Sequence, residues 1–417
     1  MSPHFDALEI RDPAERERDL FSVLPHFLSG AVAKAEGLAA WLSGYDLSKI
    51  VDRAALERLP VLRKPELLEL QQAKPPFGGF VDPDALEGAR VFMSPGPIWE
   101  IQGAGADPWQ AARAFFAAGV RPGARVHNAF AYHMTPGGFV LDTGARALGC
   151  SVFPAGTGNT DMQVEAAEAF RPDVYAGTPD FLKIMLERAD RDGRDLSSLR
   201  IGLVSGGALF PSLREEYRAR GINVLQCYAT AEFGVIAYES TGPDGAPLPG
   251  MVVNENLIVE IVRPGTDDPV PEGEVGEVVV TSLNPAYPLV RLGTGDLSAV
   301  LPEKSPCGRT NMRIRGWMGR ADQRTKVKGM FVDPKQIAEL TRRHGEIERA
   351  RLVVTRDGAS DAMALHVETI TGTAPDTTAI ETTLREVTRV GGRVVLAEPG
   401  SLPRDGKVIA DEREYSD

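Results

Sequence analysis

Between residues 107 and 230, short apolar stretches alternate with stretches of helical period, each separated by a few turn residues. Segments 109–120, 139–149, 162–170, 179–192 and 211–220 read as helices, the fourth with Pro179 in its first turn. Segments 125–131, 151–154, 173–176, 199–205 and 222–227 read as strands. Strands joined through helices are parallel, because a hairpin cannot return a strand in the same direction. The pattern therefore predicts an α/β fold with mostly parallel sheets covered by helices, and ligands at the carboxyl ends of the strands.

The texture changes further along. After residue 250, β-branched runs at 257–262 and 277–281 are separated by Pro and Gly, which predicts a more antiparallel subdomain. Beyond Gly316 a small α+β unit is expected, with a strand pair at 323–332, helices at 334–344 and 378–390, and strands at 351–354, 363–368 and 394–396. The glycine-rich stretch Arg315-Gly-Trp-Met-Gly-Arg320 offers little stiffness and marks the boundary. This gives a large N-terminal domain of several subdomains, 1–318, and a small C-terminal domain, 319–417. The first hundred residues are expected to be mainly helical, with Pro-rich turns near Pro75-Pro76 and Pro83.

With 417 residues, 43% of them hydrophobic, the chain is long enough for a large core and a second domain. A net charge of −12 disfavours a nucleic-acid binder, which needs a basic face, so anionic ligands must meet local cations. Residues 1–12 lack the positive start and apolar run of a signal peptide, and no apolar stretch is long enough to span a bilayer. A cytoplasmic protein without a membrane partner is expected. Cys150, Cys227 and Cys307 stand far apart with no Cys-x-x-Cys spacing, which indicates neither a disulfide framework nor a zinc knuckle. Cys150 and Cys227 end apolar strand-like runs and are expected in the core.

Several turn-forming segments place charged or aromatic side chains beside small residues. Ser205-Gly206-Gly207-Ala208 follows a strand, where missing side chains would let a flat ring lie on the backbone; taken alone it reads first as a tight strand-to-helix turn. Tyr228-Ala229-Thr230-Ala231-Glu232 follows the next strand. Tyr228 could cover such a ring and Glu232 could hold a divalent cation, or Glu232 could simply open a helix. Asp296 in Gly293-Thr-Gly-Asp could face a diol or form an Asx turn. Arg320 and Asp322 flank the presumed linker as ligand contact and pivot, or as an exposed ion pair. Lys407 lies in the loop Leu402-Pro-Arg-Asp-Gly-Lys407, where a lysine is usually solvated.

In their order, these segments resemble those of the adenylate-forming superfamily of acyl-CoA synthetases, and within it the phenylacetate-CoA ligase branch. The resemblance covers roughly residues 90–410 and is most specific over 287–296, 319–329 and 398–407. It implies ATP, which leaves as AMP, and Mg²⁺ and coenzyme A as cofactors, with an aromatic, phenylacetate-like acid activated through an acyl-adenylate and passed to CoA. It further implies that Gly206, Gly207 and Ala208 line the adenine, Tyr228 stacks on it, and Ala229, Thr230, Lys328 and Gly329 lie along the nucleotide. Glu232 is implied as the Mg²⁺ ligand, Asp296 as the partner of the ribose hydroxyls, and Arg320 as a ribose or phosphate contact. Lys407 is implied to bridge carboxylate and α-phosphate, with Asp322 as the hinge of a mobile lid, 319–417.

The chain departs from that family where a phosphate loop of Ser, Thr and Gly ending near a lysine is expected. Met93-Ser-Pro-Gly-Pro-Ile-Trp-Glu100 stands there, with two prolines that lack amide donors and with Glu100 bringing negative charge. Ala231 replaces the hydroxyl residue before the metal-binding glutamate. Either Ser94, Thr230 and backbone amides cradle the phosphates differently, or the pocket has lost turnover. Segment 235–240 offers no metal ligands, so no structural zinc is expected. Phe130, Tyr132, His133, Met134 and Phe233 are candidates to line an apolar slot for the acid, while Phe130 also reads as core and His133 as a turn residue. A carrier-protein thiol or another acceptor, a non-catalytic adenylate or CoA binder, and a homodimer remain alternatives.

Overall fold

A computed structural model describes residues 3–413, apart from positions 208, 322, 324, 328, 329, 358, 359 and 372. The chain gathers into two compact units, one of Met1–Val259, Val280–Leu292 and Leu301–Trp317, the other of Glu260–Val279, Gly293–Val300 and Met318–Asp417. The second unit thus takes two earlier segments in addition to the C-terminal stretch. The chain crosses between units within the strands Leu257–Val262, Gly276–Ser282 and Leu292–Ser298.

In the first unit the alternation over 107–230 becomes a sheet in the order Ser151–Pro154, Arg125–Asn128, Val174–Gly177, Ile201–Val204, Asn223–Thr230, all neighbours parallel. Gly234–Tyr238, Met251–Val253 and Arg313–Ile314 extend it antiparallel. Leu203 and Leu225 pack with Phe115, Val140 and Leu141 from the helices Ala111–Ala117 and Gly137–Ala147. Their strand neighbours Val204 and Val224 pack with Leu182, Met185 and Leu186 of Pro179–Asp192. This period-two division between the two faces fixes the register, because a one-residue slip would expose side chains whose burial stabilises by roughly 1.5–3 kcal/mol each.

Two expectations shift by a few residues for visible reasons. The helix expected from 109 begins at Ala111, because the Asp107 carboxylate accepts from the amides of Ala111 and Ala112. Trp109 instead lies under Gly234: a Cβ there would come within 2.2 Å of the indole side chain, at a φ of +71°. Cys227 sits inside the strand Asn223–Thr230 rather than at its end, and is buried.

The N-terminal region holds the expected helices, including Pro13–Lys34 and Lys64–Ala73. It also leads into a hairpin that sequence reasoning did not foresee, Val91–Ser94 with Ile98–Ile101. No helix among the described residues is long and apolar enough to cross a membrane.

The second unit contains a sheet in the order Arg393–Leu396, Ser360–Thr369, Ile347–Asp357, Ile409–Asp411. The helices Pro334–Arg343 and Thr377–Thr388 contribute Ile337, Leu340, Ile380 and Leu384 to its core. Asp333 and Gln336 close a capping box at the start of the first of these helices. The glycine-rich stretch expected as a slack linker is hydrogen-bonded at its end: Leu297 N donates to Gly319 O and Ala321 N to Gly295 O, both at 2.8 Å.

Candidate active site

In the first unit, three loops leave the carboxyl ends of parallel strands of one sheet, two of the strands adjacent and the third one strand further along. The loop after Asn128 carries Phe130 and Tyr132, and Asn128 Nδ2 donates to the Tyr132 hydroxyl at 2.7 Å and to Gly138 O at 2.8 Å. Tyr132 stands edge-on to Phe139 with centroids 5.0 Å apart. His133 and Met134 are exposed. The turn Ser205–Gly207 follows the strand Ile201–Val204, and Gly206 adopts a φ of +70°. A Cβ on Gly206 would lie 3.4 Å from the Phe130 ring, so the glycine turn and this aromatic side chain are neighbours. Ser205 Oγ donates to Cys227 O, and Gln226 Nε2 to Gly207 O, tying the turn to the strand that carries Tyr228, Ala229 and Thr230. Glu232 and Phe233 occupy the tip between that strand and Gly234–Tyr238, and both are buried. Glu232 therefore opens no helix.

Glu232 is met by a residue that sequence reasoning missed. Lys64 opens the helix Lys64–Ala73, and its ammonium stands 2.8 Å from Glu232 Oε1, with side-chain exposures of 28% and 1%. Burial opposes ionisation of Glu232, but the charge and hydrogen bond of Lys64 outweigh it and hold the carboxyl below its ordinary range. The Thr230 hydroxyl also favours that charge, without reaching hydrogen-bond geometry. No local pattern marks Lys64; the link exists only through tertiary packing.

Two turns along the same helix, Gln71 fixes the hairpin. Its Nε2 donates to Trp99 O at 2.9 Å and its Oε1 accepts from Trp99 N at 2.8 Å. The hairpin presents Glu100, 1% exposed, with Oε1 2.5 Å from Ser94 Oγ. Burial first, and the charge of Glu232 second, push Glu100 up to about 8. The Met93 amide donates to Met134 O and the Trp99 amide to Gln71, while Pro95 and Pro97 have no amide hydrogen to offer.

Glu100 Oε2, Thr230 Oγ1 and Glu232 Oε2 are all buried without a hydrogen-bond partner. An unsatisfied buried polar atom costs about 1–3 kcal/mol, so each of these oxygens calls for a partner such as a water or an ion.

In the second unit, Asp296 lies in the strand Leu292–Ser298 and not in the turn expected for Gly293-Thr-Gly-Asp, because that stretch pairs in a sheet with Gly276–Ser282, with a further bridge from Asp296 to Arg320. Arg320 Nη1 donates to Asp296 Oδ1 at 3.0 Å, with the arginine half exposed. Lys407 has an exposed side chain on a tethered loop. Gln323 Nε2 donates to Gly406 O at 2.7 Å, and its Oε1 accepts from the amides of Val408 and Ile409. Arg351 binds Asp405 Oδ1 at 2.7 Å, and Asp405 in turn accepts from the Lys407 amide. Gln323 is a second residue that sequence reasoning missed. Ala208, Asp322, Lys328 and Gly329 lie outside the described residues.

A glycine turn, an aromatic neighbour and a buried carboxylate at the carboxyl ends of one parallel sheet stand where a doubly wound fold receives its ligands. Residues 120–286 match the AMP-binding enzyme family. The phenylacetate-coenzyme A ligase of Thermus thermophilus is 32% identical over 328 residues, covering 75% of this chain and 72% of that protein. The phenylacetate-coenzyme A ligase of Aromatoleum evansii is 29% identical over 366 residues, covering 84% and 78%. Among solved structures, a 2-hydroxyisobutyryl-CoA ligase in the postadenylation state, in complex with R3-HIB-AMP, matches with a TM-score of 0.71 and 26% identity, over 99% of this chain and 93% of that one. The chain is an adenylate-forming, AMP-binding enzyme. Within that superfamily it belongs to the phenylacetate-CoA ligase branch, as an acid-thiol ligase that uses ATP and CoA and works through an acyl-adenylate.

Proposed function

We propose that this ligase activates an aromatic, phenylacetate-like acid. The observation that carries the reading is the placement of Phe130 against the Gly206 turn, with Tyr132 and Phe139 edge to face beside it. Ring-shaped apolar surface next to the turn that would receive the adenylate favours a planar acyl group over a small or long flexible one. Two relatives named as phenylacetate-coenzyme A ligases support the same choice.

In this reading Gly206, Gly207 and Ala208 line the adenine and Tyr228 covers it, while Asp296 and Arg320 serve the ribose. Glu232 holds Mg²⁺, a hard cation that accepts one or two carboxylates and completes its shell with substrate phosphates; the unpartnered, buried Glu232 Oε2 fits that demand. Lys64 is the cation for the terminal phosphates, since it already stands at Glu232 with part of its side chain exposed. Two anions must meet when a carboxylate attacks the α-phosphorus, and Lys407 offsets the charge gathered there. Residues 319–417 act as the lid, pivoting at Asp322.

The test is release of AMP and pyrophosphate from Mg-ATP with a panel of aromatic and aliphatic acids, with and without CoA. Release that needs both an aryl acid and CoA is the expected result. A higher rate with acetate or a long fatty acid overturns the aromatic assignment; release without dependence on CoA points to another acceptor; no release with any acid, alongside measurable AMP binding, points to a non-catalytic binder.

A further inference from the structure

Glu100 is the feature that the proposed reaction leaves unused. It sits on the hairpin that occupies the position of a phosphate loop, and it is an anion-forming group where anionic phosphates are expected. Its hydrogen bond with Ser94 accounts for Oε1 only; Oε2 is buried and unpartnered. Glu232 is in the same condition, with Oε1 held by Lys64 and Oε2 unpartnered. The Thr230 hydroxyl, two residues before Glu232, is the third such oxygen.

We propose that Glu100 and Glu232, with the Thr230 hydroxyl, form a divalent-cation site that this chain fills without nucleotide, so that the hairpin contributes a metal ligand in place of backbone phosphate donors. The inference deepens the functional reading above and rests on it for the role of Glu232. All three donors are oxygens, the set that Mg²⁺ and Mn²⁺ take, with water completing the shell. The Lys64 ammonium stands on Glu232, where a metal would bring more charge, and the charges of Glu232 and Lys64 both act on Glu100. A cation bound by both carboxylates turns Glu100 from an obstacle to phosphate into part of what attracts it. The neutralisation that amides would give a polyphosphate then comes from the metal and Lys64.

The experiment is a Mn²⁺ titration of the chelator-treated, dialysed protein without ATP, acid or CoA, read from the paramagnetic resonance signal of free Mn²⁺. The wild type is expected to take up one equivalent, Glu100→Gln to bind at least tenfold more weakly, and Lys64→Met to bind more tightly because the competing ammonium is gone. A purely structural Glu100 would not move metal affinity, and a purely structural Lys64 would not raise it. No uptake by the wild type, or equal uptake by Glu100→Gln, overturns the proposal. If Glu100→Gln does not fold, Lys64→Met decides: tighter binding supports the site, and unchanged or weaker binding overturns it. A protein that makes AMP from an aryl acid but takes up no Mn²⁺ alone refutes this inference and leaves the function intact; one that takes up Mn²⁺ but makes no AMP does the reverse.

Discussion

Glu100 lies where burial and the charge of Glu232 both favour the neutral acid, and Ser94 and Lys64 only partly offset them. Its folded-state value of about 8 lies above the ordinary 4.5, so an unfolded chain loses this proton first as pH rises. Stability tied to Glu100 is therefore complete below about pH 4.5, falls between there and about 8, and levels off above, by a few kcal/mol in all. Chemical-denaturation midpoints of metal-free wild type and Glu100→Gln, compared at pH 5 and pH 8, should show the wild type losing the extra stability and the glutamine variant lacking that loss. An identical pH dependence in both would mean that Glu100 ionises normally. The same residue shows what sequence could and could not supply. Its carboxyl group was legible and looked like a defect, whereas the influence of Lys64 and Glu232 on it was not, because they come near it only through packing between distant segments.

At the scale of elements, legibility followed locality. The helix Pro179–Asp192 was readable to its ends because Pro179 opens it and Gly193, at a φ of +65°, stops it. The hairpin at 91–101 was not, since Gln71 and Met134 hold it from outside and its own tip residues read as an irregular loop. The loop before Lys407 was seen as a motif, but its rigidity was hidden in Gln323, whose amide group makes three hydrogen bonds to 406–409. Replacing Gln323 with Ala should free the Val408 and Ile409 amides. Hydrogen exchange at those two positions should rise by about tenfold, corresponding to about 1.4 kcal/mol, near the upper range for a typical hydrogen bond. Unchanged exchange would mean that strand pairing alone fixes this loop.

For the whole molecule, the ligase reaction divides into adenylation and thioester formation, and the proposed roles divide with it. Lys407→Ala should cut acyl-adenylate formation by 10²-fold or more, the scale for removing one electrostatic contact to a transition state, while conversion of a supplied acyl-adenylate and CoA to thioester stays near wild type. Equal losses in both half-reactions would count against the role given to Lys407.

The strand that closes the second unit bears on how C-terminal deletions are to be read. Ile409 and Ala410 are 3% and 5% exposed and pair in parallel with Leu352 and Val353, only two and three positions beyond Lys407. A chain cut just after that lysine would keep every side chain assigned to chemistry yet remove an edge strand whose side chains are buried in the core of this unit. Inactivity after such trimming, whether by protease or by genetic deletion, would report a collapsed scaffold and would say nothing about the lysine.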